Sequence, residues 1–240
     1  MKKLFFYTIA TFVLLTITSG NGYCQAVMTM TTAPKTKEVS FILEGSGKVT
    51  IDWGDGKKEN SIISIAYSKC NRLIYRYEHT YSNTLAHTIT IIGENIEELN
   101  CADNQLTNLK VDKNTALDYL NCGGNQLTNL NIDKNTKLTG LSCDNNLLTH
   151  LDISKNMALD FLYCYKNQLT SLDVSKNKKL SHLDCSRNNF SEVALNALFK
   201  TLHNRIKWKK SIEISKNQGT ESCDKSIAKK KGWKVSTKKN

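Results

Sequence analysis

The 240-residue chain contains one proline and 12 glycines, too few for a collagen-like or linker-rich protein. No pair of cysteines stands at a metal-ligand spacing such as CxxC, so the usual structural zinc designs are excluded. Histidine is sparse, with five residues scattered along the chain, which argues against a hydrolytic triad. After residue 17 no apolar run approaches the ~20 residues of a helical membrane span. Acids are outnumbered, 22 against 33 lysines and arginines, leaving a formal charge of +11. What is ordinary is the 40% apolar content, which suits a folded chain.

The first 24 residues read as a secretory signal: Met1-Lys2-Lys3, an apolar run from Leu4 to Ile17, then a small and polar stretch ending in Cys24. Cleavage after Cys24 is expected, and lipidation of Cys24 is the alternative. Export would favour disulfides among the eight cysteines, but their placement opposes that. Cys101, Cys122, Cys143, Cys164 and Cys185 recur every 21 residues, which marks a repeated position in a coil rather than a network of cross-links.

The same interval governs other residue types. Leu99, Leu120, Leu141, Leu162 and Leu183 form one row, and Asn104, Asn125, Asn146, Asn167 and Asn188 another. Leu106, Leu127, Leu148, Leu169 and Phe190 follow, then Leu109, Leu130, Leu151, Leu172 and Val193. Val111, Ile132, Ile153, Val174 and Leu195 complete the apolar set, and Asn114, Asn135, Asn156 and Asn177 give a second asparagine row. One such coil cannot bury its apolar face, whereas stacked coils share a continuous core. Alternation in L-x-C and L-x-V/I predicts two short strands per coil, hence two narrow parallel sheets back to back. The inward asparagines are expected to satisfy the backbone of turns that have no ladder partner.

The unit LxxLxCxxNxLxxLxVxxNxx resembles the leucine-rich-repeat signature, with cysteine at its third apolar position. Its nested second half is similar to the short bacterial, IRREKO-type repeats of Bacteroidetes surface proteins. The resemblance covers about residues 96 to 193. It implies a mainly β solenoid, residues 94–190, that binds or scaffolds rather than catalyses.

Both ends of such a solenoid need cover. After a linker over 25–37, residues 38–93 read as a small β domain with strands around Phe41, Ile51 and Ile89. Its Trp53-Gly54-Asp55-Gly56 turn and His79-Thr80-Tyr81 strand resemble PKD-like β-sandwich domains. Asp55 between glycines reads as a turn residue rather than a metal ligand. At the back, residues 191–240 read as a small α/β cap: a helix N-capped by Ser191, a strand at 210–214, a short helix at 224–231 and a strand at 233–235. Thirteen of the lysines and arginines lie from Lys200 onward, against three acids.

Outward positions of the first strands differ from coil to coil. Tyr119, Phe161, Tyr163, Tyr165 and His182 gather on one face and are the candidate ligand patch; cross-strand stacking that stiffens the sheet is the other reading of the same rings. No catalytic residues, cofactor or metal are called for. The expected partner is a protein, peptide or glycan at the cell surface, in the periplasm or secreted, with cell-envelope association open and no nucleic-acid motif present. An extracytoplasmic hydrolase, or an accessory of a glycan-processing system, is the competing class.

Overall fold

A computed structural model describes residues 25–64, 75–205 and 209–237; the expected signal segment and Cys24 lie outside them. Fourteen elements are assigned among these residues. The front comprises β1 (Ala26–Thr32), β2 (Glu38–Asp52), β3 (Lys58–Ile63), β4 (Tyr75–Thr80) and β5 (Thr88–Asn100). The coils contribute β6 (Leu106–Lys110), β7 (Tyr119–Asn121), β8 (Gly140–Ser142), β9 (Phe161–Tyr163) and β10 (His182–Asp184). The back contains α1 (Glu192–Thr201), β11 (Lys210–Glu213), α2 (Ser226–Lys230) and β12 (Trp233–Ser236).

Residues 21 positions apart stand side by side. Leu99 pairs with Leu120, Leu120 with Leu141, Leu141 with Leu162 and Leu162 with Leu183, all in parallel register. The leucine row and the five cysteines are buried, and one continuous apolar core runs from Met28 to Trp233. The first asparagine row supplies what the turns lack. Asn125 Oδ1 accepts the backbone N–H groups of Asn104 (3.1 Å) and Leu106 (2.9 Å), and Nδ2 donates to the carbonyls of Cys101, Cys122 and Gly123. A polar side chain is tolerated in this core because it is bonded at both ends.

Among the described residues, the second parallel sheet expected from L-x-V/I does not form; only β6 is a strand on that side, and it pairs antiparallel with β1. In the later coils Asn131, Asp152 and Asp173 turn their side-chain oxygens onto the N–H two residues on, at Asp133 (3.0 Å), Ser154 (2.8 Å) and Ser175 (2.7 Å), so these groups are bonded locally. The first coil differs in having β1 beside it as a partner strand.

The front is joined to the coils through the backbone. β5 pairs with β2 and β1 and, through Glu98–Asn100, with β7, so the hydrogen bonding passes unbroken from the front into the first coil. Residues 26–32, expected in a linker, are β1, with Met28 and Met30 fully buried. β1 lies against both β5 and β6 and so closes the open end of the first coil. In the WGDG turn, Asp55 Oδ1 accepts the Lys57 N–H and Oδ2 meets His79 Nε2 at 2.8 Å, so both oxygens serve the fold. His79 stacks on Trp53 at 4.7 Å.

At the back, α1 is N-capped by Ser191, whose hydroxyl accepts the Ala194 N–H. It buries Leu195, Leu198 and Phe199. β11 and β12 continue the parallel ladder, with Leu183 against Ile212 and Ile212 against Val235. Asn217 repeats the asparagine device: Oδ1 accepts from Asn188 and Phe190 N–H, and Nδ2 donates to Cys185 and Ile214 carbonyls. A further coil is therefore present, lengthened by α1.

Candidate functional site

Because the pleat alternates, the parallel strands send every second residue out of the core. One outward row is Glu98, Tyr119, Gly140, Phe161, His182, Ser211 and Lys234, neighbours in register across seven strands. The adjacent row is Asn100, Asn121, Ser142, Tyr163, Asp184, Glu213 and Ser236. Seven strands at ~4.8 Å give a face about 30 Å long.

Phe161 and Tyr163 are each 37% exposed, well above the usual level for large rings in a folded chain. Phe161 tilts against His182 with ring centroids 5.6 Å apart. Tyr119 is half-buried because its ring lies over Gly140; a Cβ there would sit 2.5 Å from the ring. Tyr165 is also half-buried, and burial, then its hydrogen bond to Asp144, push its phenol up to about 12; the charges of Asp144, Asp184 and Asp103 act in the same direction. The Tyr119 phenol is raised by burial and then by Glu98. The five candidate residues thus share one face: Phe161, Tyr163 and His182 are exposed, while Tyr119 and Tyr165 bury part of each ring.

A shallow depression of about 270 Å³ adjoins them, lined by Tyr163, His182, Asp184, Ser211, Glu213 and Lys234. Ser211, Glu213 and Lys234 are the additions that sequence reasoning missed. The alternation Lys210-Ser-Ile212-Glu-Ile214 carried the signal, since Ile212 and Ile214 continue the rows of Leu183 and Cys185.

Ser181, His182 and Asp160 come together beneath this face, but in an order unsuited to nucleophilic catalysis. The Ser181 hydroxyl sits between the Asp160 carboxylate and His182 Nδ1 (2.7 Å). A carboxylate only accepts, so the single hydroxyl proton goes to Asp160 and the serine oxygen accepts from Nδ1–H. Ser181 is buried, and its lone pair is spent fixing the imidazole tautomer rather than attacking a substrate. The five repeat thiols are equally withdrawn: burial pushes Cys101 up to about 12 and raises Cys122, Cys143, Cys164 and Cys185 too. A thiol held protonated is a poor nucleophile and a poor metal ligand. Among the described residues no three His, Cys, Asp or Glu side chains cluster at metal-binding distance.

The coil, one short strand and a return turned by asparagine, resembles a leucine-rich repeat. No family model matches the chain. No curated protein gives a significant match. Among solved structures, it is similar to the functional domain of InlJ from Listeria monocytogenes, which includes a cysteine ladder, at 28% identity and a TM-score of 0.48. It is also similar to an internalin, InlF, from L. monocytogenes str. 4b F2365, at 19% identity and a TM-score of 0.40. These likenesses cover 60% and 58% of this chain, which spans 31% and 46% of the respective structures. Among the described residues no helix is long and apolar enough to cross a membrane.

Proposed function

We propose that the chain is an exported, non-catalytic binding module that holds an extended peptide or protein segment on the outward face of β5 and β7 to β12. The carrying observation is the exposed ring pair Phe161 and Tyr163, continuous with Tyr119, Tyr165 and His182 on a seven-strand face. Exposed aromatics grouped on one face are typical of interfaces, where they supply contact area at low entropic cost. Size sets the class of partner. A face about 30 Å by 10 Å is less than half of the ~800 Å² per side that a globular partner covers. A single extended strand of ligand fits it.

A glycan is the second reading, favoured by Tyr119, which lies along the sheet over Gly140 and can offer a ring surface for stacking. The test is a screen of the chain on peptide and glycan arrays, repeated with Phe161, Tyr163 and Tyr165 replaced by alanine. Binding to one class is expected to fall by at least about tenfold, because each lost ring contact in an interface costs on the order of 1 kcal/mol or more. The fold should persist, since all three side chains point away from the core. Equal retention by the folded triple variant removes this face from consideration.

A further inference from the structure

A second surface lies on the turns that end the return side of each coil. Lys113, Lys134, Lys155 and Lys176 occupy one position in successive coils, and all four are exposed. The residue after each is a buried asparagine whose Nδ2 ties its turn to the coil before. Asn135 donates to the carbonyls of Val111 (2.9 Å) and Asn114 (2.7 Å), and Asn156 and Asn177 repeat this one and two coils on. The lysines are therefore rooted one per coil on an edge in which each turn is bonded to the one before. Lys137, Lys178 and Lys179, in the same turns, are exposed as well.

This row is poorly neutralised. No carboxylate of another described residue lies within ion-pair distance of any of these ammonium groups. Asp112 and Asp133 precede the first two lysines, but Ser154 and Ser175 stand at those positions in the next two coils. Asp152 and Asp173, three residues before their lysines, are turned onto the Ser154 and Ser175 N–H groups, although Asp152 still feels the charge of Lys155. Positive charge therefore grows toward the back of the solenoid. There the row runs into Lys231, whose ammonium donates to the carbonyls of Lys200 and Leu202 at the end of α1. Lys178 is near enough to act electrostatically on Lys231.

We propose that this edge is a docking band for a linear acidic polysaccharide with a carboxylate or sulfate on each sugar, separate from the aromatic face. One cation per coil matches a polymer that carries one anion per ring-sized unit. Duplex DNA presents a charge every ~1.7 Å, far denser than the row. Single-stranded nucleic acids are held on aromatic platforms, and residues 112–117, 133–138, 154–159 and 175–180 contain no aromatic side chain.

The test measures binding of the full chain to polygalacturonate and to heparin at several salt concentrations. Single-stranded DNA and phosphatidylserine vesicles are run alongside. Binding to at least one acidic glycan is expected, with affinity falling as salt rises. Replacing Lys155, Lys176, Lys178 and Lys179 by glutamine should lower the log–log salt slope by about 3, at roughly 0.7 per contact. Glutamine at the exposed Lys37, Lys48, Lys57 and Lys58 of the front should leave the slope unchanged. Exposed lysines tolerate this change within about 0.5 kcal/mol, so both variants should unfold as the parent does. The proposal is overturned if neither glycan binds at low salt, if both quadruple variants lose binding equally, or if DNA or vesicles bind more tightly than both glycans.

Discussion

Raising the pH from about 9 toward about 12 is expected to unfold the chain in one steep transition. The cause is the buried thiol row. Cys101 moves from an ordinary value of 9.0 to about 12 because burial penalises its thiolate, and its four counterparts are raised for the same primary reason. A group whose folded value is raised stabilises the fold fully below its unfolded value. That stability is lost as pH climbs toward the folded value. For Cys101 the loss approaches roughly 4 kcal/mol at pH 12, taking 1.36 kcal/mol per unit. Its four counterparts act in the same direction, against a stability of 5–15 kcal/mol that is usual for a domain. Lys210 and Lys231, depressed by burial, act in the opposite direction but number only two. Circular dichroism across the pH range checks the transition, and iodoacetamide labelling mapped by mass spectrometry checks its cause. At pH 8 the five repeat cysteines should stay unlabelled in the native chain and react in urea. Labelling of the native chain at the urea rate would show that the row does not face the core.

The two asparagine rows should respond differently to truncation. Asn125→Ala removes five hydrogen bonds and strands the Asn104 and Leu106 N–H groups together with the Cys101 carbonyl. Buried unsatisfied groups cost about 1–3 kcal/mol each, so for three of them a loss of at least about 3 kcal/mol is expected. Asn135→Ala removes only two donations, and Asn135 Oδ1 has no protein partner among the described residues. Its cost should be about 2 kcal/mol, since desolvation of that oxygen is relieved when the side chain goes. Urea unfolding of the two variants at pH 7 measures the difference. Equal costs would mean that the amide oxygens of the first row do not hold the turns.

What the sequence made legible follows from its period. A fixed 21-residue interval forces equivalent residues into register, so the inward leucines, cysteines and asparagines could be placed before any coordinates. The return side could not be read the same way. L-x-V/I alternation describes which side chains turn inward, but not whether a partner strand lies alongside, and among the described residues only the first coil has one there, in β1. The full length of the face is not legible from the 21-residue interval, because α1 displaces the next coil and hides Ser211 and Glu213 from the period. β1 is not legible in the sequence because its buried apolar residues, Met28 and Met30, gain their meaning only from β5 and β6 on either side of it. Of the candidate patch, the shared face was legible but the packing was not: the seat of Tyr119 on Gly140 depends on a residue in the next strand.

Site-specific photocrosslinking tests the central claim most directly, since it reports contact rather than affinity. A photoreactive side chain placed at Tyr163 on the outward face is compared with one at Asn131 on the return side, using the strongest ligand from the arrays. Crosslinking from position 163 and little from position 131 is the predicted result. Crosslinks from position 131 with none from 163 would place the ligand on the wrong side of the solenoid and contradict the account.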